Sequence, residues 1–336
     1  MMMTIEEIEA ACGASQVLDF SRHFLDAPEL TLKRMFYPLG FPAELRTNSA
    51  EMLAEAEQKW GVFEKRFDTE PIQLDIHVVE TDSTECPPAP WCRIMQPLVV
   101  TMSDSNNYAI ADLSRNRTQM VLSTAGLRNK SYLRCFFMDV IVGNHLATRH
   151  ATPLHAGCVV LDGSGVLLCG DSGAGKSTLS YACARAGWTY VTDDCGFLLN
   201  SGTKRLVTGN CYQVRFRPSA AEFFPEVRGL EITPRAAGKP SIELPTAPMT
   251  HITLTQNARI DFMVFLNRRM GPPQLRPYQK DVARYFIRQT LYGSPESLAV
   301  QYEAIDHLLK VEVFELRYDD IDWAIDRLRT LVQEGC

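Results

Sequence analysis

The stretch GDSGAGKST at residues 170–178 constrains this chain more than any other. It satisfies GxxxxGK[ST], a pattern that acquires meaning only when a strand precedes it and a helix follows. GVLLC precedes it here, a short apolar run of strand type. TLSYACARAG follows, placing Leu179, Ala182 and Cys183 on one helical face and stopping at Gly187. Glycines in such a turn let successive backbone N–H groups converge on phosphate oxygens, and the helix N-terminus adds a favourable dipole. The expected nucleotide-binding residues are therefore Gly170, Asp171, Ser172, Gly173, Ala174, Gly175, Lys176, Ser177 and Thr178. Lys176 would reach the outer phosphates, and the Ser177 hydroxyl would join the Mg2+ shell.

The flanking segments sharpen this. HAGCVVL and GVLLCG are short apolar strands joined by DGSG, a good hairpin turn. The hairpin folds His155, at the start of its first strand, back beside the loop; whether the imidazole lands near the phosphates depends on register. WTYVTDD is the next strand, ending in Asp193 and Asp194. Carboxyl ends of strands gather on one side of such a sheet, but neighbouring strand residues point opposite ways. Both carboxylates can serve one site only if the strand ends there. One could then hold Mg2+ and the other accept a proton from an attacking hydroxyl. In VRFRP, Arg215 and Arg217 alternate with Val214 and Phe216, so a strand would put both guanidiniums on one face. That face is either a phosphate or acceptor clamp or a wet basic surface.

Bulk properties exclude several classes. A net charge of −6 with no basic stripe argues against a nucleic-acid-binding protein. No apolar run is long enough for a membrane span. The ten cysteines are scattered, none in a CxxC pair, which predicts reduced thiols and a cytoplasmic protein. MMMTIEEIEAACG is acidic and lacks the features of a signal peptide.

Periodicity predicts helices over 4–12 and 47–60, the second capped by Ser49, and irregular chain in YPLGFPAEL. It predicts strands over 72–80 and within 91–124, then a buried helix over 131–149. Beyond the loop come the hairpin CGFLLNSGTKRLVTG, a short helix in PSAAEFFPEV, a strand at ARIDFMVFLN and two helices from 278. The strand VEVFELRY follows, then a final helix capped by Asp319 or Asp320. The organisation is an α/β chain: a mixed, strand-rich region over 1–149, substrate-binding or regulatory, and a catalytic domain over 150–336.

The stretch His155–Asp194 resembles the core of the HPr kinase/phosphorylase family, bacterial enzymes that phosphorylate a serine of a phosphocarrier protein. The resemblance lies in the histidine upstream of a short hairpin, the GDSGxGKS loop, the helix ending in Ala186–Gly187 and the strand ending in Asp–Asp. VFELRYDDIDWAIDRL is similar, more weakly, to divergent kinase-like relatives of that family. The resemblance implies a P-loop HPr kinase/phosphoenolpyruvate carboxykinase-like core using ATP and Mg2+. It implies Asp193 as the catalytic base, Lys176 on the phosphates, Ser177 as a magnesium ligand, His155 as an active-site histidine and Asp194 as a support for Mg2+. It also implies a homo-oligomer. The family's downstream glycine-rich segment with a metal-binding glutamate is missing. Glu222 is the positional candidate for that ligand, and Arg215 or Arg217 for the family's later arginine. The phosphorylase half-reaction depends on those segments and is not expected.

The expected function is an ATP- and Mg2+-dependent kinase for a hydroxyl, foremost a serine of a protein or peptide. A small-molecule hydroxyl kinase, or a nucleotide-binding regulatory or scaffold protein with little transfer, are the alternatives. An open approach to Asp193 favours transfer, whereas an Asp193 buried against a backbone amide speaks against it.

Overall fold

A computed structural model describes residues 29–200, 204–268 and 271–335. The helix expected over 4–12 lies outside the described residues. Internal contacts divide the chain into two units: 29–142 with Pro234–Gly238, and Gly143–Thr233 with 239–335.

The first unit is built on a seven-stranded mixed sheet. Its strands are β1 (Leu32–Phe36), β2 (Ala43–Thr47), β3 (Ile72–Val79), β4 (Trp91–Met95), β5 (Leu98–Asp104), β6 (Asn107–Asp112) and β7 (Arg117–Ser123), in the order β1-β2-β3-β7-β6-β5-β4. Helix α1 (Ala50–Trp60) packs against β1 and β2, and Ser49 caps it by accepting from the Met52 N–H. Its apolar face, Met52, Ala56 and Trp60, is buried, as are Leu45, Leu74, Ile76, Met120 and Leu122 on alternate positions of the sheet. After α2 (Thr124–Arg128), the helix expected over 131–149 forms with a π-helical stretch, Leu133–Asp139, before α3 (Val140–Arg149). β1 and β2 were not expected. YPLGFPAEL runs into β2 at Ala43, because Ala43–Thr47 gains a ladder from β3, far along the chain, despite the preceding prolines.

In the second unit, β8 (Ala151–Leu154), β9 (Ala156–Leu161), β10 (Ser164–Cys169), β11 (Thr189–Thr192), β12 (Gly196–Leu199) and β13 (Leu206–Gly209) join one mixed sheet with β16 (Thr253–Leu254) and β17 (Asn257–Asn267). β14 (Gln213–Phe216) and β15 (Ile242–Pro245) form a separate ribbon. β18 (Gln274–Pro277), also unexpected, and β19 (Glu312–Arg317) extend the large sheet beside β17. The β9–β10 hairpin turns on Asp162 (φ 49°) and Gly163 (φ 81°), the pair of positive angles that matches strand twist in a two-residue loop. PSAAEFFPEV makes two short 3-10 turns instead of one helix.

β10 is parallel to β17, β17 is parallel to β19, and β11 runs antiparallel to β9 and therefore with β10. Their carboxyl ends share one edge. Val166 and Leu168 of β10 pack in one core with α4 (Lys176–Arg185) and α7 (Ile321–Glu334). Leu167 and Cys169 pack in the opposite core with α5 (Lys280–Arg288) and α6 (Pro295–Leu308). Burial on both faces explains the unbroken apolar runs of GVLLC and FMVFL. The second unit is thus a mixed α/β layer structure, as expected.

The first unit buries one acidic group on its sheet. Asp75 accepts from Arg46 (2.6 Å) and Arg117 (2.9 Å to Nε) across β2, β3 and β7. Burial pushes this carboxyl up, but the hydrogen bonds and charges of the two arginines together outweigh it and hold it below the usual aspartate value. A depressed carboxyl contributes stability above its unfolded pKa that is lost as pH falls towards the folded one. Urea unfolding should therefore show stability falling on acidification below about pH 4, with a shallower fall in Asp75→Asn. An unchanged slope in that variant would reject the assignment.

Candidate functional site

The register of one hairpin places the first residues. Ala156 of β9 pairs with Cys169 of β10, so His155 stands next to Gly170. The loop then passes Gly170 (φ 145°), Gly173 (φ 92°) and Gly175 (φ 100°) before Lys176 opens α4. A side chain on Gly175 would put Cβ 2.5 Å from the Tyr318 hydroxyl, whereas Gly173 faces open space. The loop is tied within itself by Ala174 N–H to the Asp171 carbonyl (3.0 Å), and to the end of β19 by Tyr318 Oη donating to the Ala174 carbonyl (3.3 Å).

Lys176 is 4% exposed. Its ammonium donates to the carbonyls of Gly170 (2.8 Å) and Asp171 (3.2 Å) and to His155 Nε2 (3.0 Å), so each of its three hydrogens has an acceptor. Asp194 Oδ1 lies 3.8 Å from Nζ and 3.3 Å from His155 Nδ1. Because Nε2 accepts, Nδ1 carries the imidazole hydrogen, which bonds the Asp194 backbone with the Asp194 carboxylate close by. Burial lowers the pKa of both groups; Asp194 opposes the shift at each, and at His155 the neighbouring ammonium adds to it. His155 thus stands between the lysine and Asp194.

The two aspartates differ sharply. β11 ends at Thr192, so both leave the strand on the loop side of the sheet. Asp194 is half exposed. Asp193 is 6% exposed and surrounded by donors: Tyr190 Oη to Oδ1 (3.1 Å), the Arg215 backbone N–H to Oδ2 (3.2 Å) and the Ser177 hydroxyl. Burial, then the charge of Asp194, pushes its carboxyl up to about 6 against the pull of those donors.

The arginines part company. β14 stops at Phe216, so Arg217 leaves the strand and its guanidinium comes 3.5 Å from the Ser172 hydroxyl. Arg215 turns instead to Ser241 (2.6 Å), just before the paired strand, and Glu243 (3.9 Å) on it, and reaches the site through its backbone. Glu222 is exposed at the end of a 3-10 turn. Among the described residues no group of three or more His, Cys, Asp or Glu side chains is placed to hold a metal, so Glu222 does not complete one with the aspartates. Ser172 and Asp171 are exposed, and Thr178 is half-buried.

Three residues at the site were not anticipated. Tyr190 lies within an apolar strand and Tyr318 just past the end of another, with no motif to mark either. Arg268, just beyond β17, lies over the Tyr318 ring (5.7 Å) and beside Gly175, and only the parallel strand order brings it there.

No protein-family model matches the chain, and no curated protein matches it. Among solved structures it is similar to the Hpr(Ser) kinase/phosphatase from Coxiella burnetii, at 16% identity and a TM-score of 0.31, over 55% of this chain and 99% of that one.

Two measurements check this geometry. Gly175→Ala should cost about 1–3 kcal/mol of stability, and Tyr318→Phe in the same protein should return part of it by removing the oxygen that the new methyl meets. Asp193, with a raised carboxyl pKa, binds more protons folded than unfolded between about pH 4 and 6. Its contribution therefore lowers stability as pH rises through that window. The comparison of wild type with Asp193→Asn should show this component only in wild type.

Proposed function

We propose that residues 170–178 bind the triphosphate of ATP with Mg2+, and that the protein transfers the γ-phosphoryl group to a hydroxyl, foremost a serine of a protein or peptide. The observation that carries this reading is the loop itself: glycines in left-handed conformations deliver the chain into α4, with Lys176 seated beneath them. Backbone N–H groups at that helix start and the Lys176 ammonium suit a polyanion.

The Ser177 hydroxyl and the Asp193 carboxylate, already in hydrogen-bond contact, are the hard oxygen donors that suit Mg2+. When bound there, the ion would supply charge neutralisation on the phosphates. Magnesium is commonly held by one or two protein oxygens together with phosphates and water, so this small donor set fits it.

The resemblance assigns the base role to Asp193, and the geometry favours exchanging the two aspartates. Asp193 is buried with donors on both oxygens, the arrangement that speaks against an open in-line base. Asp194 is half exposed and backed by His155 and Lys176, so an acceptor hydroxyl can approach it. In this reading Asp194 takes the acceptor's proton, His155 orients it, and Arg217 steadies the loop from the Ser172 side.

The burial of Asp193 also favours a second reading, a regulatory nucleotide-binding protein without transfer. Labelled ATP offered with peptides, phosphocarrier proteins and small alcohols separates the two. Transfer by wild type, lost about 100-fold or more in Asp194→Asn with ATP binding retained, supports the kinase. Labelling that persists in Asp193→Asn rejects Asp193 as the required base. Binding without transfer to any acceptor class leaves the regulatory reading, and absence of ATP binding removes both.

A further inference from the structure

Tyr190 is 0% exposed, with its ring in the core beside Trp188, Val159 and Leu168. Its hydroxyl lies 3.1 Å from Asp193 Oδ1 and 3.1 Å from the Gln213 carbonyl oxygen. We propose that Tyr190 is the positioning residue of the metal-side carboxylate: its hydroxyl fixes Asp193 Oδ1, so that the carboxylate meets Ser177 in one orientation. The proposal rests on the ATP–Mg2+ reading of residues 170–178.

The backbone makes this contact on purpose-built terms. Residues three apart in a regular strand point to opposite faces. Between Tyr190 and Thr192 the pairing with β9 shifts register: Tyr190 pairs with Val159, and Thr192 pairs with the adjacent Cys158. The additional residue on β11 reverses the alternation, as a bulge does, and brings Asp193 over the Tyr190 hydroxyl.

The donors then fix the plane of the carboxylate. Tyr190 addresses Oδ1 from β11, while the Arg215 N–H addresses Oδ2 from β14. With one donor removed, the carboxylate could turn about its last torsion, because sp3–sp2 torsions are broad. The tyrosine hydroxyl has one hydrogen and two acceptors in reach. An ionised carboxylate takes it in preference to a neutral carbonyl, since charge-assisted bonds are roughly twice as strong. The ring cannot follow a swinging carboxylate, because the core encloses it. Phenylalanine would fill the same volume and lack only the atom that does this.

Tyr190→Phe in the full-length protein tests the assignment. ATP affinity is measured by calorimetry with and without Mg2+. Metal-free affinity should stay within about twofold of wild type while the Mg2+ enhancement falls about tenfold, the usual scale for losing a hydrogen bond to a charged group. In an Asp193→Asn background the same substitution should change nothing further. Equal losses with and without the metal would mark a purely structural role and overturn the proposal; so would a wild-type enhancement.

A second measurement needs no nucleotide. A double-mutant cycle of Tyr190→Phe and Asp193→Ala, which leaves no acceptor at 193, in urea unfolding should give a coupling of about tenfold in the unfolding constant. Zero coupling with intact ATP binding overturns the Tyr190 assignment alone. Clear coupling in a protein that binds no ATP overturns the ATP–Mg2+ reading while the positioning of Asp193 stands.

Discussion

A buried ammonium organises the second unit. Lys176 has almost no access to solvent, and an unpaired charge in that position would cost several kcal/mol. The chain meets the requirement with two carbonyls of its own loop, an imidazole from the strand folded back beside it, and a carboxylate from the next strand over. Each partner is delivered by a different element: the loop after β10, the start of β9 and the end of β11. Moving any of those strands by one residue would turn its contribution to the other face. The register of the β9–β10 hairpin and the end point of β11 are therefore conditions for burying this lysine as much as they are conditions for a site.

The same edge explains why two adjacent aspartates acquire different chemistry. Asp193 goes inward, to a tyrosine hydroxyl, a serine hydroxyl and a backbone amide; Asp194 goes outward, to a histidine and the lysine. Inward, the carboxyl is pushed up by desolvation. Adjacent groups with such different surroundings divide tasks well, because a ligand arriving at the outer one does not have to displace the donors of the inner one. A carboxylate enclosed among three donors is also closed to the direct approach of a substrate hydroxyl, whatever its proton affinity.

What the sequence made legible was local. The strand–loop–helix around Gly170–Thr178, the Asp162–Gly163 turn, and the Ser49 and Asp320 caps depend on residues within a few positions of one another. The apolar strands of a doubly covered sheet stood out because both faces demand hydrophobic side chains. What stayed hidden was set by distant pairing. β2 forms through its ladder to β3, and β18 forms against β19; neither carries a strong strand pattern of its own. Arg215 and Arg217 looked equivalent because alternation assumes the strand continues, and β14 ends between them. Tyr190, Tyr318 and Arg268 could not be connected to the loop without knowing which strands run side by side.

The exchange of roles that we propose for the aspartates follows from the same limit. A motif fixes which residues approach a phosphate loop, but it does not fix which of two neighbours turns inward, since that depends on where the strand breaks its alternation. In this chain the break comes at the bulge after Tyr190, and it turns Asp193 towards the core. β14 supplies the remaining donor, its Arg215 amide binding Asp193, while Arg217, two residues on, touches the loop at Ser172. The segment from Gln213 to Arg217 thus contacts both the inner carboxylate and the glycine turn. Any ligand that spreads the loop would load that segment through Arg217 and through Asp193 together.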